Sequence, residues 1–383
     1  MLLKLILKNA LRHRLRTSLT LVGLVVAVVA FGLLQTVVGA WYAGAEGAST
    51  ARLISRNAIS LIFPLPLTYK QKLRQVDGVR GIAMANWFGG IYKEPKNFFP
   101  QFAIDDAYLD LYPDYRLNEG EKTEWLRDRK GVVVGRKLAE TYGFKLGDQI
   151  TLKGTIFPGN WEFVVRAIYD GKEKTTDTSQ MFFHWDYLNE TLKKSVPRRA
   201  NAVGVYVLEL ADPTRAAEVS REVDALFKNS QAETLTETEK AFQLGFVAMT
   251  ESIVVAIRLV SFLVIFIIMA VMANTMAMTA RERMAEYATL KALGFGPGFV
   301  VQLILGESLA IAGIGGGIGI LLTLPIADAF GSAMGSLFPI FQVSSGTILL
   351  QAACALGVGF IAALFPAWKA ARVRIVEGLR AIG

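Results

Sequence analysis

The chain has 383 residues, 52% of them hydrophobic, and its 41 Lys and Arg against 33 Asp and Glu give a net charge of +8. Positive mean hydropathy at that charge excludes a disordered polar chain and points to membrane segments beside a polar domain. The single cysteine, Cys354, excludes an intrachain disulfide and a Cys-based zinc site, and His13 and His184 lie too far apart in sequence to suggest a metal pair.

Residues 1–17 carry Lys4, Lys8, Arg12, Arg14 and Arg16 with no acid and read as a cytoplasmic amphipathic helix. Residues 18–40, "SLTLVGLVVAVVAFGLLQTVVGA", are the first of four segments that can cross the hydrocarbon, which takes roughly 20 apolar residues each. Lipid offers the backbone no hydrogen-bond partner, so each must be a helix. A secretory signal also starts basic, but this apolar run is longer than such a signal's core of roughly 7–15 residues, so it reads as an uncleaved anchor.

Residues 41–252 read as an exported α+β domain with stalk helices. "GVVVGRKLAETYGFKLGDQITLKG" predicts a strand at Val132–Val134, a helix over Arg136–Tyr142 and a strand at Gln149–Leu152, with Gly143 and Gly147-Asp148 as breaks. "WEFVVRAIYD" and "AVGVYVLEL" predict further strands. Asp212 as N-cap, with Pro213 first in the helix, opens another helix. From about residue 231 one continuous helix is expected to run into the second span as a rigid stalk. Without disulfides the domain relies on its core. Asp105, Asp106 and Asp110 read as a solvated acidic helix or turn rather than catalytic carboxylates, and the aromatics of "KEPKNFFPQF" and "SQMFFHWDY" as core. "DGKEKT" lacks the upstream glycine and the Ser/Thr directly after lysine of a phosphate-binding loop, and no Ser-His-Asp, G-x-S-x-G or H-E-x-x-H arrangement is convincing with two histidines. No catalytic, cofactor-binding or metal site is expected.

The second span is 253–279; near its outer end Arg258 has a stem long enough to snorkel. Between it and the third span, 299–324, lies the charged elbow 280–298, "ARERMAEYATLKALGFGPG". On a helix over Arg281–Leu293, the residues Met284, Tyr287, Leu290 and Leu293 recur every third position, and Arg283 and Glu286 pair at i,i+3. Gly294 and Gly296-Pro297-Gly298 end the helix and turn the chain back. Such a helix either lies on the bilayer surface or docks on a protein; Glu282 and Glu286 disfavour anionic headgroups and favour docking. Within the third span Glu307 is too deep to snorkel, and Asn274 is its expected hydrogen-bond partner. Gly313, Gly315, Gly316, Gly317 and Gly319 allow close helix approach, whereas Glu307 is equally compatible with packing and with mechanism.

A loop at 325–346 includes the uncharged "GSAMGSLFPIFQVSSG", whose "SLFPIF" reads as an interfacial anchor. The fourth span, 347–366, is followed by the tail 367–383, with Lys369, Arg372, Arg374 and Arg380 against Glu377. Positive charge at both termini and in the elbow places these on the cytoplasmic side. This topogenic use of the charge removes the argument for nucleic-acid binding.

The elbow and third span resemble the core motif of the FtsX/MacB-like, or type VII, ABC transporter permeases, through Glu282-Arg283, Glu286, Ala292-Leu293-Gly294 and Glu307. Tyr287-Ala288 replaces the usual Ile-Gly, Phe295 a small residue, and Ser308 the usual Ala. The tail matches through Pro366-Ala367, Ala370-Ala371, Val376-Glu377 and Leu379-Arg380, with Ile375 where proline is typical. The start matches through Arg16-Thr17, Leu19-Thr20 and Gly23, and "VVVGRKLAETYGFKLGDQITLKG" is similar to the family's periplasmic core domain.

The resemblance implies a DevC- or LolC-like four-helix permease in a bacterial inner membrane, with a MacB-type domain between its first two spans. It also implies a dimer, a homodimer in preference to a heterodimer, bound to two copies of a separate subunit that holds ATP and magnesium. Closure of that subunit would be relayed by mechanotransmission, with Arg281, Glu282, Arg283, Glu286, Tyr287, Leu290, Leu293 and Gly294 as the coupling residues and Glu307 with Asn274 as intramembrane candidates. The expected output is efflux or extraction of lipid, glycolipid, peptide or drug with a periplasmic adaptor. The alternatives are lipoprotein release in the Lol manner and FtsX-like regulation of cell-wall hydrolases.

Overall fold

A computed structural model describes residues 6, 12–173, 176–333, 338 and 340–373. The N-terminal segment 1–17, except Ile6 and residues 12–17, and the tail beyond Val373 therefore lie outside the described residues. The chain divides into two compact units, one of long apolar helices and one spanning Tyr42–Met249 with Met334–Ile340.

Helix α1 (Arg14–Glu46) extends past both ends of the expected first span, because nothing in "RLRT" or "WYAGAE" breaks a helix. In the second unit follow β1 (Arg52–Asn57), β2 (Leu65–Pro66), α2 (Tyr69–Leu73), β3 (Val79–Trp87), β4 (Gly90–Tyr92) and β5 (Gln101–Ile104). Next come α3 (Tyr108–Leu111), β6 (Tyr115–Arg116), α4 (Glu119–Arg127), β7 (Gly131–Gly135), α5 (Arg136–Tyr142), β8 (Gln149–Gly154) and β9 (Gly159–Gly171). The unit closes with β10 (Met181–His184), α6 (Trp185–Ser195), β11 (Ala202–Val203), β12 (Val205–Leu210), α7 (Ala216–Leu226), β13 (Thr234–Thr238) and α8 (Glu239–Met249).

Among the described residues a mixed sheet of eleven strands runs β13-β1-β12-β3-β5-β10-β7-β9-β8-β4, with β6 on β9 and a separate β11–β2 ribbon. Pairs β5–β10 and β7–β9 are parallel and the others antiparallel. Successive side chains of a strand face opposite ways, so this sheet carries two cores. Leu53, Met84 and Phe183 enter one; their neighbours Ile54, Ala85 and Phe182 enter the other. All four residues of β10 are buried, and so is Trp185, which places the "MFFHW" aromatics in the core.

Two expectations for this unit are corrected, the continuous stalk helix and the solvated Asp105. The continuous stalk helix from 231 does not form: Thr234–Thr238 is a strand, Leu53↔Thr238 to Asn57↔Thr234 on β1. Its alternating Thr residues suit an extended edge, and the Thr236 hydroxyl bridges to Ser55 and Asp224 at 3.0 and 2.7 Å. Asp212 is the N-cap as expected, accepting from the Thr214 N–H, and Pro213 is first in the helix, whose opening turn Pro213–Arg215 is 3-10 before α7 proper. Asp105 is not solvated: its side chain is 11% exposed, pairs with Lys70 at 2.5 Å and accepts the Met84 N–H at 3.1 Å.

In the helical unit α9 (Glu251–Glu282), α10 (Met284–Ala292), α11 (Pro297–Ala333) and α12 (Ser345–Ala371) complete the chain. Helices α1, α9, α11 and α12 are long and apolar enough to cross a membrane. Helix α11 continues beyond the expected end at 324 and carries Pro325 within it. Leu24, Val28, Met272, Met276, Ile304, Ala312, Ala355 and Ala363 form the bundle core. Of the five expected packing glycines, Gly315 and Gly319 face Leu24 and Val28, and a Cβ on Gly316 would lie 2.6 Å from that of Ala355; Gly313 and Gly317 face open space. Half of "SLFPIF" lies outside the described residues; Phe341 at its end is buried beside Phe330.

Candidate functional site: the charged elbow

The elbow is built by two helix ends. Helix α9 stops at Glu282, and Arg283 (φ −104°, ψ 14°) starts α10 at a new angle. At the far end the Gly294 N–H bonds to the Lys291 carbonyl and the Phe295 N–H to the Leu290 carbonyl, both at 3.1 Å. This is the Schellman pattern, which needs a left-handed residue just past the helix, and Gly294 supplies it at φ +92°.

Arg283 lies at the centre, its side chain 7% exposed. Its Nη1 donates to Glu307 Oε2 at 2.7 Å, its Nε donates to Glu286 Oε2 at 2.9 Å, and its guanidinium lies 5.4 Å from the Tyr287 ring centroid. The other oxygen of Glu286 accepts from Arg12. One ionic chain, Arg12–Glu286–Arg283–Glu307, therefore links the residues just before α1 through the elbow to Glu307 within α11. A second clamp runs beside it. Arg16 forks onto Glu282 at 3.1 and 2.6 Å, with His13 Nε2 3.7 Å away. Lys291 Nζ donates to the carbonyls of Ala371 at 2.7 Å and Val373 at 2.9 Å, capping the end of α12. A narrow cleft lined by Arg16, Thr20, Thr279, Met276 and Ile311 reaches the Glu307 side of the buried pair.

Burial is the largest influence on the Glu286 carboxyl and raises its pKa, but the bonds from Arg283 and Arg12 outweigh it and hold the group below the usual carboxylate range. Burial likewise opposes charge on Arg283, and Tyr287, Glu286 and Glu307 overcome it, so the guanidinium is held above its usual pKa. Burial pushes the Tyr287 hydroxyl up to about 12.

The predicted site residues separate into three groups. Glu282, Arg283, Glu286 and Glu307 join the ionic network. Tyr287 is buried and Leu290 packs on the bundle core, so the apolar face expected to meet a partner is turned into the chain's own helices. Arg281, Leu293 and Gly294 are exposed, Leu293 at 71%. Asn274 is not the partner of Glu307: it lies on an exposed face of α9 while Met272 and Met276 face the core, and the long Arg283 side chain reaches Glu307 instead. Sequence reasoning missed Arg12, Arg16 and Lys291 as site residues, because their basic character was already accounted for by topology.

Four membrane-length helices among the described residues, a mixed-sheet domain inserted after the first, and an ionically clamped elbow between the second and third are the frame of a multi-pass membrane protein. Residues 17–226 match the MacB-like periplasmic core domain and residues 258–375 the FtsX-like permease C-terminal region. The chain belongs to the FtsX/MacB-type ABC transporter permeases. An uncharacterized ABC transporter permease of Methanocaldococcus jannaschii is 25% identical over 400 aligned residues, 97% of this chain and 96% of that one. The macrolide export ATP-binding/permease protein MacB of Sodalis glossinidius is 31% identical over 128 residues, 33% of this chain and 19% of its own. Among solved structures, the extracellular domain of the noncanonic ABC-type transporter YknZ from Gram-positive bacteria aligns over 49% of this chain and 98% of its own, with 16% identity and a TM-score of 0.34. Membership in this family implies an ATP-binding partner subunit.

Proposed function

We propose that this permease receives its drive from separate ATP-binding subunits through the elbow, and that its exported domain is the output. The distribution of Lys and Arg supports a cytoplasmic elbow and cytoplasmic termini. In this reading ATP and magnesium are held by the partner, two permeases and two ATP-binding subunits form the working unit, and the outer domain acts with a periplasmic adaptor on amphiphilic substrates.

The observation that carries the reading is the division of labour within the elbow. Glu282, Arg283, Glu286 and Lys291 and the Tyr287/Leu290 face are committed to the chain's own helices, while the turn 292–298 is exposed throughout, with Leu293 at 71% and Phe295 at 44%. A small apolar tip on a clamped support suits a groove in a partner protein. The contact is therefore assigned to Leu293–Pro297 rather than to Tyr287 and Leu290. Movement of the tip would be carried by Arg283 into α11 through Glu307, and by Glu286 into α1 through Arg12.

Co-purification tests this. The pair Leu293→Asp and Phe295→Asp should lose the ATP-binding subunit while the permease still inserts and keeps its thermal midpoint. Undiminished co-purification would refute the docking assignment.

A further inference from the structure

The exported unit has a second exposed surface, at the opposite end of the sheet from its chain connections. The chain enters β1 at Arg52 and leaves β13 at Thr238, and Leu53 pairs with Thr238, so entry and exit share one end. The loop after Asn57 leaves from the other end. It reads "AISLIFP", residues 58–64, and it exposes Ile59 at 82%, Ile62 at 87% and Phe63 at 50%. Its ends are fixed: the Ala58 N–H bonds to the Glu233 carbonyl at 2.9 Å, and the following Leu65–Pro66 pairs with Ala202–Val203. The apolar side chains therefore project from an anchored loop.

Further exposed groups are tied to this end by contacts. Asn86 donates to the Ala202 carbonyl at 3.3 Å, and Trp87 beside it is exposed and lies 6.0 Å from the exposed Phe98 ring, centroid to centroid. Arg199 Nη1 donates to the carbonyl of the exposed Ile156 at 2.7 Å. The segment leading into β11, "KKSVPRR", exposes Lys193, Lys194, Arg198 and Arg199, with no acid from Thr191 to Val203. Of these, Lys193 pairs with Glu190 at 2.8 Å, and Lys194 and Arg198 form no ion pair with the described residues.

Aliphatic and aromatic side chains that protrude, rather than line a groove, beside unpaired Lys and Arg have the composition of an interfacial insertion surface. Its apolar groups suit the acyl boundary and its cations suit phosphate headgroups. We infer that this end of the exported domain docks on an anionic lipid surface, inserting Ile59, Ile62 and Phe63 while Lys194, Arg198 and Arg199 hold phosphates. Charge complementarity selects lipid of negative headgroup over neutral lipid.

The test uses the full chain in nanodiscs of neutral lipid, floated with phosphatidylcholine vesicles that contain or lack phosphatidylglycerol. The expected result is flotation with the anionic vesicles only, weakening as salt rises. Lys194→Gln with Arg198→Gln should lower vesicle affinity about 30-fold, given the contribution of each basic residue near an anionic surface. Ile62→Ser with Phe63→Ser should lower it about tenfold or more. These positions are exposed, so an unchanged thermal midpoint separates the effect from misfolding. No flotation by wild type, equal flotation with neutral vesicles, or unchanged affinity in both double variants would overturn the inference. So would capture of poly-glutamate without any vesicle binding, which would assign the surface to an acidic protein.

Discussion

The elbow and the far end of the exported domain combine the same ingredients, cations beside apolar side chains, and use them in opposite ways. At the elbow Arg12, Arg16, Arg283 and Lys291 all reach acids or carbonyls of the same chain. At the domain end Lys194 and Arg198 are exposed, beside Ile62 and Phe63 that are exposed as well. Charges satisfied internally fix a geometry, because each pair specifies which helix lies against which. Charges left outside a core specify what the protein meets. The elbow therefore has little freedom except at its tip, and the domain end is built for contact.

The largest test of this contrast is at Arg283. Replacing it by Met leaves the Glu307 carboxylate, 5% exposed, without its cation, and should cost about 3–5 kcal/mol in thermal unfolding of the solubilised protein. Adding Glu307→Met to that variant should restore most of the loss, since a buried pair is replaceable by apolar side chains of similar size. If the single change cost under about 0.5 kcal/mol, as surface changes do, the pair would not be the internal clamp described.

Next in size is Gly294→Ala. A Cβ there meets no atom within 4 Å, so only the positive φ of 92° opposes it. The expected cost is about 1 kcal/mol of local backbone strain, read as a weaker hold on the ATP-binding subunit. A gain in affinity would indicate that the tip docks in another conformation. Smallest is Arg12→Ala, at the exposed outer end of the ionic chain, where the side chains of Arg12 and Glu286 are 56% and 42% exposed. Its thermal effect should stay under about 1 kcal/mol. A loss as large as that for Arg283 would extend the rigid clamp to the surface.

Much of this architecture is legible in the sequence because the physics is local. Four apolar runs of span length leave helices as the only way to satisfy the backbone, and Gly294 after a charged turn marks a helix stop. The Arg283–Glu286 pair follows from i,i+3 spacing. What was not legible depends on distant partners. Arg16 meets Glu282 and Arg12 meets Glu286 across more than 260 positions, and no spacing rule connects them. Asp105 looked solvated because its partner Lys70 stands 35 residues earlier. The strand Thr234–Thr238 was masked by helix-forming residues on both sides; its pairing with β1 overrides local propensity. At the elbow, periodicity identified an apolar face but could not say whether it met a partner or its own bundle.

The central claim is that the exposed tip of the elbow, and not its buried helical face, meets the ATP-driven subunit. It is tested most directly by ATP hydrolysis of that subunit reconstituted with full-length permease in nanodiscs, wild type against Leu293→Asp. The account predicts loss of most of the permease-dependent hydrolysis, with about 2 kcal/mol of partner affinity removed and the permease melting as before. Full stimulation by Leu293→Asp would contradict it.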